Sequence, residues 1–206
     1  MKKILIALGF SVIATSAQAI TFNVSSGPIS PFVGVTTIDF DSALPSGVSI
    51  TGGEVYTTPS QTNISAVPVG STGNYYSVGI SPVEQQGPGI VTLADAVGYY
   101  GFLWGSVDSY NSVTLLNGST TVASFSGDQF NPNDGDQNLS IYLNIFADNA
   151  SEFFNTIVFE SSNNAFETDN HAYASAVPVP AALPLLASAL GAFGIARRRN
   201  KAKAAK

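Results

Sequence analysis

The chain has 206 residues and no cysteine, which excludes disulfides, thiol catalysis and cysteine-ligated metal sites. All eight basic residues lie near the two ends, whereas all fourteen acidic residues lie between Asp39 and Asp169. The middle of the chain therefore cannot neutralise a carboxylate with lysine or arginine. Its carboxylates must face water, accept backbone hydrogen bonds or bind cations, and an acidic solvated surface accounts for most of them. Nucleic acid is excluded as a partner, because nothing there could neutralise phosphates.

Residues 1–19 have the three parts of a secretory signal peptide. Two lysines give a positive start, residues 4–13 form an apolar run, and the sequence AQA at residues 17–19 is a cleavage site. The apolar run is too short to span a bilayer stably. We therefore expect the export machinery to be a partner and the mature chain to begin at Ile20.

The body of the chain, residues 20–176, is rich in Gly, Ser, Thr and Asn and shows no sustained helical period of apolar residues. Short runs of β-branched and aromatic residues recur between turn residues, and many alternate between apolar and polar side chains. About ten such strands predict an all-β domain, a two-sheet antiparallel β-sandwich of jelly-roll type. The runs are ITFNV, TTIDF, GEVYTT, NYYSVGI, GIVTL, GYYGFLWGS, NSVTLL, TTVASF, LSIYLNIF, NTIVFES and AYASA.

One hairpin and a core follow from this pattern. In SVTLLNGSTTVASF, the pair Asn117-Gly118 favours the two positive φ angles of a type I′ turn. Adjacent antiparallel strands are therefore expected at residues 112–116 and 119–125. Inward-facing apolar residues of the alternating runs should form the core. They are Phe102, Trp104, Leu115, Phe125, Ile141, Leu143, Ile145, Ile157 and Phe159.

Oxygen ligands are concentrated near both ends of the body. Asp39 and Asp41 close an early strand, and Glu167, Asp169 and Asn170 lie in the last one. If these strands are neighbours, as is common in jelly rolls, hard oxygen ligands from several segments would suit Ca²⁺. The other interpretation is a solvated face with a turn in which Asp169 and Asn170 bond to their own backbone. The sequence requires no cofactor, and structural Ca²⁺ is the one it suggests.

Signals for catalysis are weak. His171 is the only histidine, no G-x-S-x-G elbow accompanies it, and we expect it at the surface of the last strand. Acidic residues could form a glycosidase pair only in the sense that any two could, since no spacing fixes them at the required separation. We therefore expect no enzyme. The acids considered are Asp95, Asp108, Glu152 and Glu160.

Aromatic residues offer a second kind of site. Rings exposed in a line could stack on sugars, whereas cross-strand packing in the core is the more common role and is favoured here. A carbohydrate-binding module requires Tyr75, Tyr99 and Tyr110 to be exposed. The six residues considered are Tyr75, Tyr76, Tyr99, Tyr100, Trp104 and Tyr110.

The C-terminal segment, residues 177–206, reads VPVPAALPLLASALGAFGIARRRNKAKAAK. Residues 181–196 are nearly all apolar or small and give roughly 24 Å of helix, just short of the ~30 Å hydrocarbon core. The arginine cluster that follows should stay in the cytoplasm and leave the body outside. The simplest interpretation is a single membrane helix that anchors the tail.

This tripartite end resembles the PEP-CTERM sorting signals of bacterial envelope proteins, most closely their VPLPA-type variant. The resemblance implies that an exosortase, a membrane transpeptidase-like enzyme, cuts near the proline motif and releases or re-anchors the body. Val177, Pro178, Pro180 and Ala181 match the motif, whereas Val179 stands where Glu or Leu is usual. The basic cluster is Arg197, Arg198 and Arg199.

The body also looks like a β-sandwich domain that is common in exosortase-sorted surface proteins. The residues that carry this likeness are WGSVDSYN at 104–111 and AFETDN at 165–170, with TIDFDSALPSG near the start. The resemblance implies a domain type that is mostly non-enzymatic.

Three segments are therefore expected: a signal peptide (1–19), a β-sandwich (20–176) and a sorting and membrane segment (177–206). The expected function is that of an exported, exosortase-sorted, non-catalytic protein of the cell surface or the biofilm and exopolysaccharide matrix. The chain would pass through the inner membrane of a Gram-negative bacterium and end at the surface, with polysaccharide as a potential partner. A carbohydrate-binding module and, less favoured, a secreted glycoside hydrolase are the alternatives.

Overall fold

The computed structural model describes residues 20–130 and 134–175. The predicted signal peptide and the predicted sorting segment, including residues 177–181 and 197–199, lie outside the described residues. Within the described part of the chain, no helix is long and apolar enough to cross a membrane.

The described residues form twelve β-strands and three single-turn 3₁₀ helices. Every predicted run overlaps a strand. Only β3 was not predicted. The strands are β1 Thr21–Ser25, β2 Thr36–Ile38, β3 Ser49–Thr51, β4 Glu54–Thr57, β5 Asn74–Val78, β6 Gly89–Val97, β7 Tyr99–Gly105, β8 Asn111–Asn117, β9 Thr120–Ser126, β10 Ser140–Phe146, β11 Phe154–Ser161 and β12 Phe166–Ala174, and the 3₁₀ helices are Val83–Gln85, Gly127–Gln129 and Ala150–Glu152.

The strands make two antiparallel sheets. Sheet A has the order β1-β10-β7-β12-β5-β4, with β2 paired to the second half of β12 on the side where β5 pairs with the first half. Sheet B has the order β3-β6-β11-β8-β9. The prediction of an all-β, two-sheet antiparallel sandwich is confirmed.

The core lies between the two sheets. Alternate residues of β7 and β10 on sheet A meet alternate residues of β8 and β11 on sheet B, as the period of two along a strand requires. The rings of Phe102 and Phe159 lie 5.3 Å apart across this interface. All nine predicted core residues are buried.

The β8–β9 hairpin forms as predicted, but its turn is displaced by one residue. Asn117 pairs with Thr120, so the two-residue loop is Gly118-Ser119. Gly118 has a φ of 59° and Ser119 has no positive φ. The turn therefore has glycine at its first central position, which is the arrangement of a type II′ turn rather than of the predicted type I′.

The outer face of sheet A is covered by other parts of the chain. All seven residues of β7 are buried, including those that point away from the core. Phe32, from the segment after β1, packs edge-on against Tyr99 at 5.2 Å. Pro68, from the loop between β4 and β5 (residues 58–73, called the covering loop below), lies against Gly105, where a Cβ atom would be 2.9 Å from the proline Cα atom. A glycine at this position lets the covering loop approach the sheet.

Candidate functional site

The pairing of β2 with β12 brings part of the predicted calcium cluster together. Ile38 is opposite His171, so Asp39 and Asp41 lie beside the middle of β12, as predicted for neighbouring strands. Burial raises the pKa of Asp169, hydrogen bonds from Ser71 and Asn170 oppose the rise, and the charges of Asp41 and Asp39 add to it, with a net value of about 6. The three carboxylates are near enough to interact electrostatically, and they are called the acidic group below.

Glu167 does not join this group. It is buried on the outer face of sheet A, where Oε1 accepts a hydrogen bond from the Ala66 amide at 2.7 Å and Oε2 accepts one from the Ser106 hydroxyl at 3.0 Å. Asp169 is also buried, and the Ser71 hydroxyl donates to it at 2.5 Å. The suggestion that Glu167 and Asp169 face solvent is therefore wrong, because the covering loop lies over both.

Asp39 and Asn170 have local structural roles. Asp39 accepts from the amides of Asp41 and Ser42, which closes a tight turn after β2. Asn170 has a φ of 49° at the β-bulge of β12, and its carbonyl oxygen accepts from the Tyr142 hydroxyl. Among residues 20–130 and 134–175, no three His, Asp or Glu side chains, including those of the acidic group, are placed so that they could hold one metal ion. The calcium site stays a prediction.

His171 lies in the core rather than at the surface, contrary to the prediction. The bulge at Asn170 interrupts the alternation of β12, so that both Thr168 and His171 point between the sheets. The Nε2 atom of His171 lies 2.9 Å from the Thr168 hydroxyl, and its Nδ1 atom lies 2.7 Å from the Tyr100 hydroxyl. Burial lowers the pKa of His171 to about 3. The imidazole is therefore neutral and enclosed by aromatic rings, such as that of Phe40 at 5.0 Å.

The predicted aromatic residues do not form a sugar-stacking platform. Tyr110 is half-buried, and the other five are buried. Core packing, the favoured interpretation, holds for Trp104, whose ring stacks on Phe166 at 4.5 Å. The buried five are Tyr75, Tyr76, Tyr99, Tyr100 and Trp104.

A polar cavity of about 390 Å³ opens at the end of sheet A where β7 ends and β12 begins. Its walls come from residues 60–66 of the covering loop, from residues 106–110 after β7 and from residues 164–167 at the start of β12. Gly135 and Gln137 complete the lining. This end-of-sheet cavity, called the polar cavity below, is the candidate functional site because it is concave and lined by convergent polar groups.

Two carboxyl groups with perturbed pKa values line the polar cavity. Burial raises the pKa of Glu167 to about 7, and hydrogen bonds from Ala66 and Ser106 oppose that rise. Burial raises the pKa of Asp108, a hydrogen bond with Tyr110 opposes the rise, and the charge of Asp134 adds to it, with a net value of about 6. Raised carboxyl pKa values in a cavity are typical of functional sites, although buried structural carboxyls show them too.

Sequence reasoning missed the association of Asp108 with Glu167. Asp108 was considered only as one acid among several, and Glu167 only as a calcium ligand. A signal for Asp108 was present in the sequence, because this acid follows closely after the continuous apolar and aromatic run of β7. No signal predicted that residues 60–66 would fold over Glu167, because these residues form an irregular loop.

The chain matches no family model, no curated protein and no solved structure.

Proposed function

We propose that this chain is an exported, non-catalytic protein of the bacterial cell surface or its extracellular matrix, delivered by exosortase sorting. The observation that carries the proposal is the separation of charge along the chain. All eight basic residues lie in the two segments with export and sorting patterns, whereas the body holds all fourteen acids. A strongly acidic surface keeps a protein soluble outside the cell.

The exposed acids of the body support this proposal. Asp95, Asp128, Asp148 and Glu160 are all exposed, on different parts of the sandwich. No described residue is a lysine or arginine, so these carboxylates have no internal cationic partner. A hydrated anionic surface of this kind suits a matrix that contains polysaccharide and divalent cations.

The finer architecture belongs to the same proposal. We take the sandwich to be jelly-roll-like, with a cleaved signal peptide before it and one membrane helix after it. The switching of the chain between sheets supports the jelly-roll assignment. Strand β6 lies in sheet B, β7 in A, β8 and β9 in B, β10 in A, β11 in B and β12 in A.

The test is the intact mass of the protein recovered from its native host, with cell, vesicle and medium fractions kept separate. We expect a chain that begins at Ile20 and ends between residues 177 and 181, with or without an added lipid or glycan. A variant with Pro178→Ala and Pro180→Ala should retain residues 197–206 and remain in the membrane fraction. Pro31→Ala, at an exposed proline of the body, is the matched control and should be processed normally. Wild-type protein that extends to Lys206 in the membrane fraction would contradict the proposal.

The observation that favours glycoside hydrolysis as a second candidate function is that Asp108 and Glu167 line the same cavity. A glycosidase needs one protonated carboxyl and one ionised partner. Here burial raises both pKa values, to about 6 and about 7, so the two groups are not divided into acid and base. Release of reducing sugar from polysaccharides, lost in Asp108→Asn but not in Asp95→Asn, would establish hydrolysis and displace the non-catalytic proposal.

A further inference from the structure

The polar cavity has a size that suits one small ligand. Its volume of about 390 Å³ lies within the range of roughly 300–1,000 Å³ that is typical of small-molecule sites. It opens to solvent at the exposed residues Ser60, Thr62 and Asn63. A ligand could therefore enter without any change in the sandwich.

The walls of the cavity are held in place before any ligand arrives. The covering loop is closed on itself by a pair of backbone hydrogen bonds between Gln61 and Ser65, at 2.9 and 3.0 Å. Glu167 fastens the same loop to the sheet through the Ala66 amide. On the opposite wall, the Asn164 side chain accepts from the Ile80 amide at 2.9 Å. A preorganised site loses little conformational entropy on binding.

The Asn164 amide group adds a second tie to that wall. Its Nδ2 atom donates to the carbonyl oxygens of Ser81 at 2.6 Å and of Asn63 at 3.4 Å. The Asn63 contact reaches the covering loop, so Asn164 links the two walls. The cavity is thus built by long-range contacts and is not a gap between unconnected loops.

The chemistry of the lining selects the ligand class. Hydroxyl and amide groups dominate it, so a ligand that can exchange hydrogen bonds with them fits better than an apolar one. An anionic ligand, such as a phosphate or a uronate, would meet Asp108 and Glu167 and no described lysine or arginine. Neutral polyhydroxylated molecules and cations remain.

The hydrogen bonds of Glu167 favour a neutral polyhydroxylated ligand over a cation. Both of its oxygens already accept bonds from Ala66 and Ser106, whereas Ca²⁺ takes six to eight oxygen ligands. Sugar hydroxyls donate and accept at once, so they can pair with the hydroxyl, amide and carboxyl groups of the lining. The ring of Tyr110, half-buried in the wall, provides an aromatic surface beside them.

We propose that the polar cavity binds a single neutral, hydroxyl-rich unit, such as one pyranose residue of a polysaccharide. This inference goes beyond the proposed sorting function and uses a different part of the chain. It also replaces the aromatic platform as the place where a sugar would bind.

The test uses the purified full-length chain in a detergent without a sugar head group. The probes are the methyl glycosides of glucose, galactose and mannose, with glucosamine, glucuronate and CaCl₂ as competing classes. Ligand-observed NMR detects binding and calorimetry measures the dissociation constant at low and high NaCl. At least one neutral glycoside should bind, with an affinity unchanged by salt, because no ion pair forms.

Two pairs of variants localise the site. Thr62→Trp places a bulky ring at an exposed position of the lining and should weaken binding by about tenfold or more. Thr72→Trp makes the same change at an exposed residue of the covering loop outside the cavity and should leave binding unchanged. Gln137→Ala should weaken binding severalfold, whereas Gln129→Ala, at an exposed residue outside the cavity, should not.

Three results would overturn the inference. They are absence of binding by every neutral glycoside, binding only of glucosamine or Ca²⁺ with an affinity that falls with salt, and binding that Thr62→Trp and Gln137→Ala leave intact. The assay uses isolated protein, so its outcome does not depend on whether the chain is sorted in its host.

Discussion

The two sheets of the sandwich differ in their outer faces. On sheet B, outward residues such as Thr114 and Val158 are half-buried, and Glu160 is exposed. On sheet A, the outward residues Tyr99 and Glu167 are fully covered. Both sheets bury an apolar inner face, so hydrophobic burial between the sheets does not explain the difference.

The difference lies in the long connections of sheet A. The segment after β1 packs on β7, and the covering loop folds back over β7 and β12. The covering loop brings the Ala66 amide onto Glu167 and the Ser71 hydroxyl onto Asp169. Carboxyl groups on sheet B remain in water, where their charge costs little. The covered face of sheet A is therefore where the sequence has placed polar groups at an energetic cost, and such places are candidates for function.

The largest expected effect of this asymmetry is on stability as a function of pH. Burial raises the pKa of Glu167 from 4.5 to about 7, and raises those of Asp108 and Asp169 from 3.8 to about 6. The folded state therefore holds protons that the unfolded chain releases, and the stabilisation from these groups is present at acidic pH and lost as pH rises to about 7. Glu167 alone accounts for a loss on the order of 3 kcal/mol.

His171 acts with the opposite sign at lower pH. Its pKa falls from 6.5 to about 3 in the folded state, so protonation of the unfolded chain lowers stability as pH falls below 6.5. The three carboxyls outweigh this one group between about pH 4.5 and 6. Urea unfolding should give a higher midpoint at pH 5 than at pH 8. A midpoint that rises steadily from pH 5 to pH 8 would contradict the burial of these carboxyls.

A substitution on each face sharpens the comparison. Glu167→Gln should remove the contribution of about one proton to the pH dependence of the unfolding free energy. This contribution is about 1.4 kcal/mol per pH unit between pH 5 and 7. Glu160→Gln, on the exposed face of sheet B, should leave that slope unchanged. The slope is measured from unfolding free energies at several pH values. Equal slopes in the two variants would mean that the covering loop does not desolvate Glu167.

The close approach of the covering loop gives a smaller effect. Gly105→Ala would place a Cβ atom 2.9 Å from the Pro68 Cα atom, so the loop must move away. We expect a loss of about 1–3 kcal/mol, typical of overpacking, with faster proteolysis within residues 58–73. Ser124→Ala on exposed strand β9 is the control and should change stability by less than about 0.5 kcal/mol. Unchanged proteolysis in Gly105→Ala would show that the loop is not held by this contact.

The smallest expected effect concerns the acidic group of Asp39, Asp41 and Asp169. A weakly held cation nearby would reduce the repulsion among these carboxylates, which have no lysine or arginine partner in the described part of the chain, without being chelated by all three. Excess Ca²⁺ over chelator should raise Tm by a few degrees at most, as for a weak site. Asp169→Ala should abolish the shift and Asp95→Ala should retain it. No shift in the wild-type chain would remove the calcium interpretation.

The fold could be predicted from sequence because its signals are local. Alternation in β8, β10 and β11 identifies which residues enter the core, since side chains switch faces at every position of a strand. The bulge at Asn170 breaks that rule in β12, and one displaced residue was enough to move His171 from the predicted surface to the core. The turn at Asn117-Gly118 is also displaced by one residue, and the pairing of β8 with β9 shifts register between Leu115 and Leu116.

The candidate site was harder to predict because its contacts are distant in sequence. The Ala66–Glu167 hydrogen bond spans 101 residues, and the Ser106–Glu167 hydrogen bond spans 61. Residue type indicated that carboxyls would need partners, but it did not indicate which carboxyls the covering loop would reach.

The most direct test of this account is the pKa of the Glu167 carboxyl in the full-length chain. It is measured by carbon-detected NMR titration and assigned by comparison with Glu167→Gln. A pKa near 7 would establish that the covering loop buries this carboxyl without a compensating charge. A pKa near 4.5 would mean that the carboxyl is solvated, and the contrast between the two sheet faces would then have no electrostatic consequence.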